Sequence, residues 1–316
     1  MKRLIVAAVQ ATSENGAVER NLRNAASLVR DAVRQGARLV VCPEFLAAGY
    51  QYRESIWDCG EPRGGATESW LAGLAADHDI YIGATYLEAA GDQFYNTFAL
   101  FGPGGQLLGR VRKGSLPAFE GWYFAPSAEP KVIDTDLGRL GIGICNDNQT
   151  AEFFRHMVDQ APDLLLMPHS APTPQFPVLA GQFRRQYSSI AGFYARELGI
   201  PVVFANKVSA RTIWTPVPIL PLARVPFRCE GFSSIHLAGG HLVEQKARTE
   251  TVVVGEVTLD PAHKRTPGLR PTSYWAHRGI LSPTLSGRAF ELLTVRGHRA
   301  YTTNPRRAAA AKSRTA

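Results

Sequence analysis

The chain has 316 residues, 45% of them hydrophobic, and its 35 Lys and Arg exceed its 27 Asp and Glu by eight. It is therefore long enough to bury a large core as one domain or two. Six of the eight excess charges, Arg296, Arg299, Arg306, Arg307, Lys312 and Arg314, follow the last acidic residue, Glu291, so the body is nearly neutral and nucleic-acid binding is excluded as the main role.

In chain order, "RLIVAAVQ" (3–10) is a β-branched apolar run, and "AVERNLRNAASLVRDAVRQG" repeats Val18, Leu22, Ala25, Leu28, Val29 and Val33 at helical spacing up to Gly36. The basic start and short apolar run resemble the beginning of a signal peptide, but Gln10 interrupts the run, and the expectation is a first strand in a cytoplasmic protein. "ARLVVCPE" (37–44) predicts a buried strand closed by proline. A helix over 67–78 leads into strands "IYIGATYLE" and "YNTFALF", and the turn "GPGG" joins the second to "QLLGRVRK" (106–113).

The second half repeats the theme. "LGRLGIGIC" (137–145), "DLLLMP" (163–168) and "PVVFAN" (201–206) predict strands, separated by helices over 150–161 and 178–198. A hairpin about Gly239 and Gly240 follows, and "TVVVGEVTLD" (251–260) closes a sheet. The expected fold class is α/β, with mixed sheets covered by helices. No linker, repeat or charge block breaks residues 1–290, so these predict a single domain, with 291–316 a basic C-terminal extension that is mobile or at an oligomer interface. No segment has the roughly 18 consecutive apolar residues of a membrane span.

Cys42, Cys59, Cys145 and Cys229 are far apart, with no zinc-like spacing. They point to free thiols in a reducing compartment. Three polar residues sit where strands end: Glu44, Lys113 and Cys145. Singly, each has an ordinary explanation as loop acid, surface charge or core filler. Together they suffice for acyl transfer: a thiol nucleophile, a carboxylate to take its proton, and an ammonium to stabilise thiolate and oxyanion. Pairing Cys145 with His169 in a papain-like manner leaves Glu44 and Lys113 without a role.

The stretches "VVCPEFLAAGY" around Glu44, "GRVRKGSLPAFEGWYFAPS" around Lys113 and "GRLGIGICNDNQTAEFFR" around Cys145, with the opening "VAAVQ" and the late "IPVVFANK", resemble the nitrilase superfamily of carbon-nitrogen hydrolases. The likeness runs over roughly residues 3–260. It implies a four-layer αββα sandwich with two mixed sheets, and a homodimer or larger homo-oligomer. It also implies that Cys145 attacks the carbonyl or nitrile carbon, Glu44 is the general base, Lys113 and the Asn146 backbone N–H hold the oxyanion, and Glu120 positions substrate. No metal or organic cofactor is expected, since every reacting group is a protein group.

For the substrate, Cys145-Asn146-Asp147 departs from the Cys-Trp-Glu of true nitrilases and is similar to N-carbamoyl-D-amino-acid amidohydrolases. Asn148 and Gln149, however, stand where those carry two arginines that hold a carboxylate. Arg184 or Arg185 would have to substitute. The favoured expectation is a small or medium linear amide or N-carbamoyl substrate. Phe119, Trp122 and Tyr123 would form an apolar wall, or else pack the loop against the sheet, and His169 and Ser170 would line the entrance. The alternatives are a nitrilase, a catalytically silent member that binds partners, and an amidotransferase module.

Overall fold

The alternation of strands and helices expected from the sequence is present in the computed structural model, which describes residues 1–268 and 271–315. The first half comprises β1 (Lys2–Gln10), α1 (Val18–Arg34), β2 (Leu39–Val41), α2 (Ala66–His78), β3 (Tyr81–Ala90), β4 (Gln93–Phe101) and β5 (Leu107–Arg112). There follow β6 (Val132–Thr135), β7 (Gly138–Ile142), α3 (Ala151–Gln160), β8 (Leu164–His169), β9 (Pro172–Pro174), α4 (Pro177–Leu198) and β10 (Val202–Asn206). The rest is β11 (Ile213–Val217), β12 (Leu220–Cys229), β13 (Gly231–His236), β14 (Leu242–Ala247), β15 (Thr251–Leu259), α5 (Pro283–Thr302) and α6 (Pro305–Thr315).

Successive strand residues point to opposite faces, and that alternation builds the layers. In the first sheet, ordered β15-β1-β2-β3-β4-β5, Val6, Ala8, Leu39 and Val41 face the second sheet, ordered β14-β13-β10-β8-β7-β6, where they meet Leu140, Ile142, Leu164, Leu166 and Val203. Their neighbours Ala7, Val9 and Val40 face outward onto Ala25, Val29 and Ala32 of α1 and Leu71 and Leu74 of α2. On the far side, Leu165, Met167, Val202 and Phe204 pack on α3 and α4 through Phe154, Met157, Ile190 and Tyr194. The result is a four-layer αββα sandwich. Each large aliphatic side chain so buried contributes roughly 2 kcal/mol.

Strand direction places the chemistry. β2 runs parallel to β1 and β3, and β5 regains that direction through two antiparallel pairings. β7, β8 and β10 are mutually parallel in the second sheet. Loops leaving the carboxyl ends of β2, β5, β7 and β8 are the natural place for reactive groups in such sheets.

One feature differs from the sequence reading. A third sheet, ordered β11-β12-β9, pairs two strands of the stretch after Ser209 with the short β9 after His169. Over their described part, residues 291–315 hold the end of α5 and all of α6, which pack on the body. Tyr301 and Ala311 are buried, the Tyr301 hydroxyl accepts from the Phe94 backbone N–H at 2.8 Å, and Arg307 is buried over the Tyr301 ring, 4.8 Å from its centroid. Among the described residues no helix is long and apolar enough to cross a membrane.

Candidate active site

Glu44 follows Pro43 at the end of β2, Lys113 directly follows β5, and Cys145 opens a 3₁₀ turn (Cys145–Gln149) after β7. The Lys113 ammonium bridges two carboxylates, donating to Glu44 Oε1 at 2.8 Å and to Glu120 Oε2 at 2.7 Å. All three side chains are fully buried. The Glu44 carboxylate is held at both oxygens: Oε1 also accepts from Asn96 Nδ2 at 2.7 Å, and Oε2 accepts from the Ser170 backbone N–H at 2.9 Å. That last bond, with Glu44 N–H donating to the His169 carbonyl at 3.2 Å, ties the ends of β2 and β8 across the two sheets.

Cys145 lies in the field of Glu44, Lys113 and Glu120. Its φ of 50° is in the left-handed region, which costs a non-glycine residue on the order of 1 kcal/mol. Phe45 (φ 49°) beside Glu44 and Ala118 (φ 41°) beside Glu120 are held the same way, so backbone strain gathers around the cluster. Asp147 anchors the turn. Its Oδ2 accepts from Ile144 N–H at 3.2 Å, and its Oδ1 accepts from Gly114 and Ser115 N–H at 3.1 and 2.6 Å, fastening the cysteine turn to the lysine loop.

The charges follow from burial and from one another. Burial and the Glu44 charge push the Cys145 thiol well above its ordinary range, with Lys113 only partly offsetting them. Cys145 is therefore held as a thiol, where residue types alone suggest a thiolate. Burial would lower Lys113, but the Glu120 and Glu44 carboxylates outweigh it and hold the ammonium well above its usual value. Burial raises Glu120 to about 7 against the pull of Lys113.

A cavity of about 240 Å³ opens on Cys145 and Asn146, bounded by Tyr50, Tyr52 and Phe119. Tyr50 donates its hydroxyl to Glu120 Oε1 at 2.7 Å and lies 2.6 Å from the Tyr52 hydroxyl. Asn146 lines the cavity, its Nδ2 donating to the Tyr274 hydroxyl at 2.7 Å. Of the expected aromatic wall only Phe119 lines it. Trp122 is turned toward α5, where it packs so closely on Gly297 that a Cβ there would overlap its ring. Tyr123 sits in a buried cluster with Tyr52, Trp57 and Phe124, its carbonyl accepting from Trp57 Nε1 at 2.9 Å. The His169 ring is buried against Phe204 with Nε2 2.8 Å from Asn148 Nδ2, and burial keeps it neutral, so it supports the strand end and does not line the entrance. Ser170 contributes its backbone N–H to Glu44 and borders a smaller neighbouring cavity. Arg184 is locked on Glu230 at 2.6 and 2.7 Å, and Arg185 is exposed, so neither borders the cavity beside Cys145.

Asn96, Tyr50, Tyr52 and Asp147 were not singled out from sequence as site residues. Asn96 lies inside β4, and the tyrosines lie in a loop whose spacing follows no regular period. Asp147 carried the one available signal, a carboxylate two residues after the cysteine.

A double-sheet sandwich that brings a buried Glu, Lys and Cys together at matching strand ends holds the groups that acyl transfer to a thiol needs. The profile of the carbon-nitrogen hydrolase family matches residues 5–263, and the chain belongs to that family. It is 32% identical over 177 residues to a nitrilase of Pyrococcus abyssi, covering 54% of this chain and 67% of that protein. It is 27% identical over 259 residues to an N-carbamoylputrescine amidase of Arabidopsis thaliana, covering 77% and 83%. With omega-amidase NIT2-B of Xenopus laevis it shares 31% over 164 residues, 47% of this chain and 57% of that one, so the match spans little more than half of that relative. In fold it is similar to a carbon-nitrogen hydrolase from Helicobacter pylori G27 (TM-score 0.72, 21% identity, 82% and 90% covered) and to an amidase from Nesterenkonia sp. (TM-score 0.66, 20% identity, 83% and 93% covered).

Proposed function

We propose that the protein hydrolyses a linear amide or N-carbamoyl group through a thioester on Cys145, releasing ammonia or an amine. The observation that carries this reading is the Lys113 ammonium held between Glu44 and Glu120 beside the thiol. In the first half-reaction the sulfur attacks the carbonyl carbon as Glu44 takes the thiol proton. Lys113 and the Asn146 backbone N–H stabilise the oxyanion. Glu44 then gives the proton to the leaving nitrogen as the carbon-nitrogen bond breaks. In the second half-reaction a water loses a proton to Glu44 and its oxygen attacks the thioester. The carbon-sulfur bond breaks, the acid leaves, and the thiol recovers the proton from Glu44. Glu120, fixed by Lys113 and Tyr50, orients the substrate nitrogen.

The Pyrococcus abyssi relative favours nitriles as a second reading, against which Asn146-Asp147 stand in place of Trp-Glu. Ammonia release from a panel of amides, N-carbamoyl compounds and nitriles separates the two. Cys145→Ala is expected to abolish turnover with the fold intact, and Lys113→Ala to be nearly as damaging; normal ammonia release by Cys145→Ala ends the proposed mechanism. We also propose a homo-oligomer formed through the outward face of α5, where Leu285, Leu292 and Val295 are exposed, and a cytoplasmic location suited to four free thiols. Light scattering of the purified chain tests the first.

A further inference from the structure

The cavity beside Cys145 has an outer wall that the family-matched region does not supply. That region ends at residue 263, whereas Trp275, Ile280, Phe290 and Leu293 line the cavity together with Phe183 and Phe227. The wall is fixed in place. Thr294 Oγ1 donates to the Leu116 carbonyl at 2.8 Å, and a Cβ on Gly121 would stand 2.8 Å from the Thr294 carbonyl oxygen, so α5 lies directly on the loop that carries Glu120. Trp275 is held by its Nε1 donating to the Pro283 carbonyl at 3.0 Å.

Among the described residues, no arginine, lysine or histidine lines this cavity. The cations nearby are committed: Lys113 to two carboxylates, and Arg184 to Glu230. Lys207 donates to the Phe45 carbonyl at 2.6 Å and borders the adjoining cavity of about 30 Å³, not the one beside Cys145. The polar group where a carboxylate clamp would stand is the Gln149 amide, which accepts from Gln186 Nε2 at 2.7 Å and has its own Nε2 unpartnered. A neutral donor cannot replace the hydration a carboxylate gives up on entering an apolar cavity.

We propose that this pocket selects uncharged amides with an apolar acyl group, aliphatic or aromatic, and rejects acyl chains that end in a carboxylate, the selecting wall being the segment from Trp275 to Leu293. The proposal rests on the amide-hydrolase reading of the same site. The substrate is R–CO–NH₂ with R apolar, and water converts it to R–COOH and ammonia as set out above.

The test compares ammonia release from hexanamide and from adipamate, the same chain with a terminal carboxylate, with 3-phenylpropanamide as the aromatic case. Hexanamide is expected to exceed adipamate by about 100-fold in kcat/KM, the scale set by leaving a charge unpaired in an apolar site. Phe290→Arg, which puts a guanidinium in the wall, should move the ratio toward adipamate by about 10-fold or more. Ala300→Arg, at an exposed position of the same helix outside the cavity and the proposed interface, should leave the ratio unchanged. Adipamate cleaved as well as or better than hexanamide by the wild-type protein overturns the apolar selectivity while sparing the amidase reading. Ammonia from none of the three, with Cys145 still alkylated by iodoacetamide, overturns both.

Discussion

Glu120→Gln separates the charge of the buried cluster from its shape. The carboxyl is fully buried and accepts from Lys113 and Tyr50, and burial lifts it from 4.5 to about 7. A carboxyl that holds its proton more tightly when folded stabilises the fold fully below its unfolded value. That stabilisation is lost as pH rises through its folded value, so the window runs from 4.5 to about 7. From about pH 5.5 to about pH 8.5 the loss integrates to about 2 kcal/mol. With the usual unfolding entropy per residue, a chain of this length converts that to a fall of about 3 °C in Tm. Glutamine keeps the acceptor oxygen and cannot ionise, so the Tm of wild type minus that of Glu120→Gln should fall by this amount across the interval. Differential scanning calorimetry at matched ionic strength measures it. A difference that stays flat, or climbs with pH, refutes the assignment of a raised, buried carboxyl at this position.

Asp147→Ala leaves the N–H groups of Ile144, Gly114 and Ser115 without their acceptor. It should cost on the order of 3 kcal/mol in urea unfolding and lower kcat more than it raises KM, because the turn holding the nucleophile loosens; an unchanged unfolding midpoint would contradict the anchoring role. Gly297→Ala pushes a methyl into the Trp122 ring and should destabilise the protein by roughly 2 kcal/mol while raising KM for apolar amides, as α5 is displaced from the pocket. Thermal melts with steady-state kinetics check both effects.

Much of this site was legible because each reactive group ends a strand. The apolar runs before Glu44, Lys113 and Cys145 fix their strands through burial, and the proline and glycines that close them mark where a side chain leaves the core. Asn96 and Tyr50 were not legible, since what selects them is the geometry of a carboxylate two strands or one loop away. The β11–β12 pair was missed because Pro216 and Pro226 each remove a ladder donor and break the strand pattern, a loss tolerated in this small, open sheet. The helix α6 is not legible in the sequence because its packing rests on Arg307, whose guanidinium lies over an aromatic ring, and on the buried Ala311, neither of which makes an apolar stripe. Trp122 and Tyr123 misled because "EGWY" fixes which residues follow Glu120 and not which way a 3₁₀ turn aims them.

The strand at the start of the chain is clamped on both sides, by β2 and, from Lys2 to Gln10, by the antiparallel partner that ends at Leu259. During synthesis, its outer edge stays open until most of the protein has left the ribosome. Closing a contact that spans some 250 residues is slow, and the waiting edge is a template for pairing with other nascent chains. Truncation before residue 251 should therefore yield inclusion bodies, although Glu44, Lys113 and Cys145 would all be present in the polypeptide.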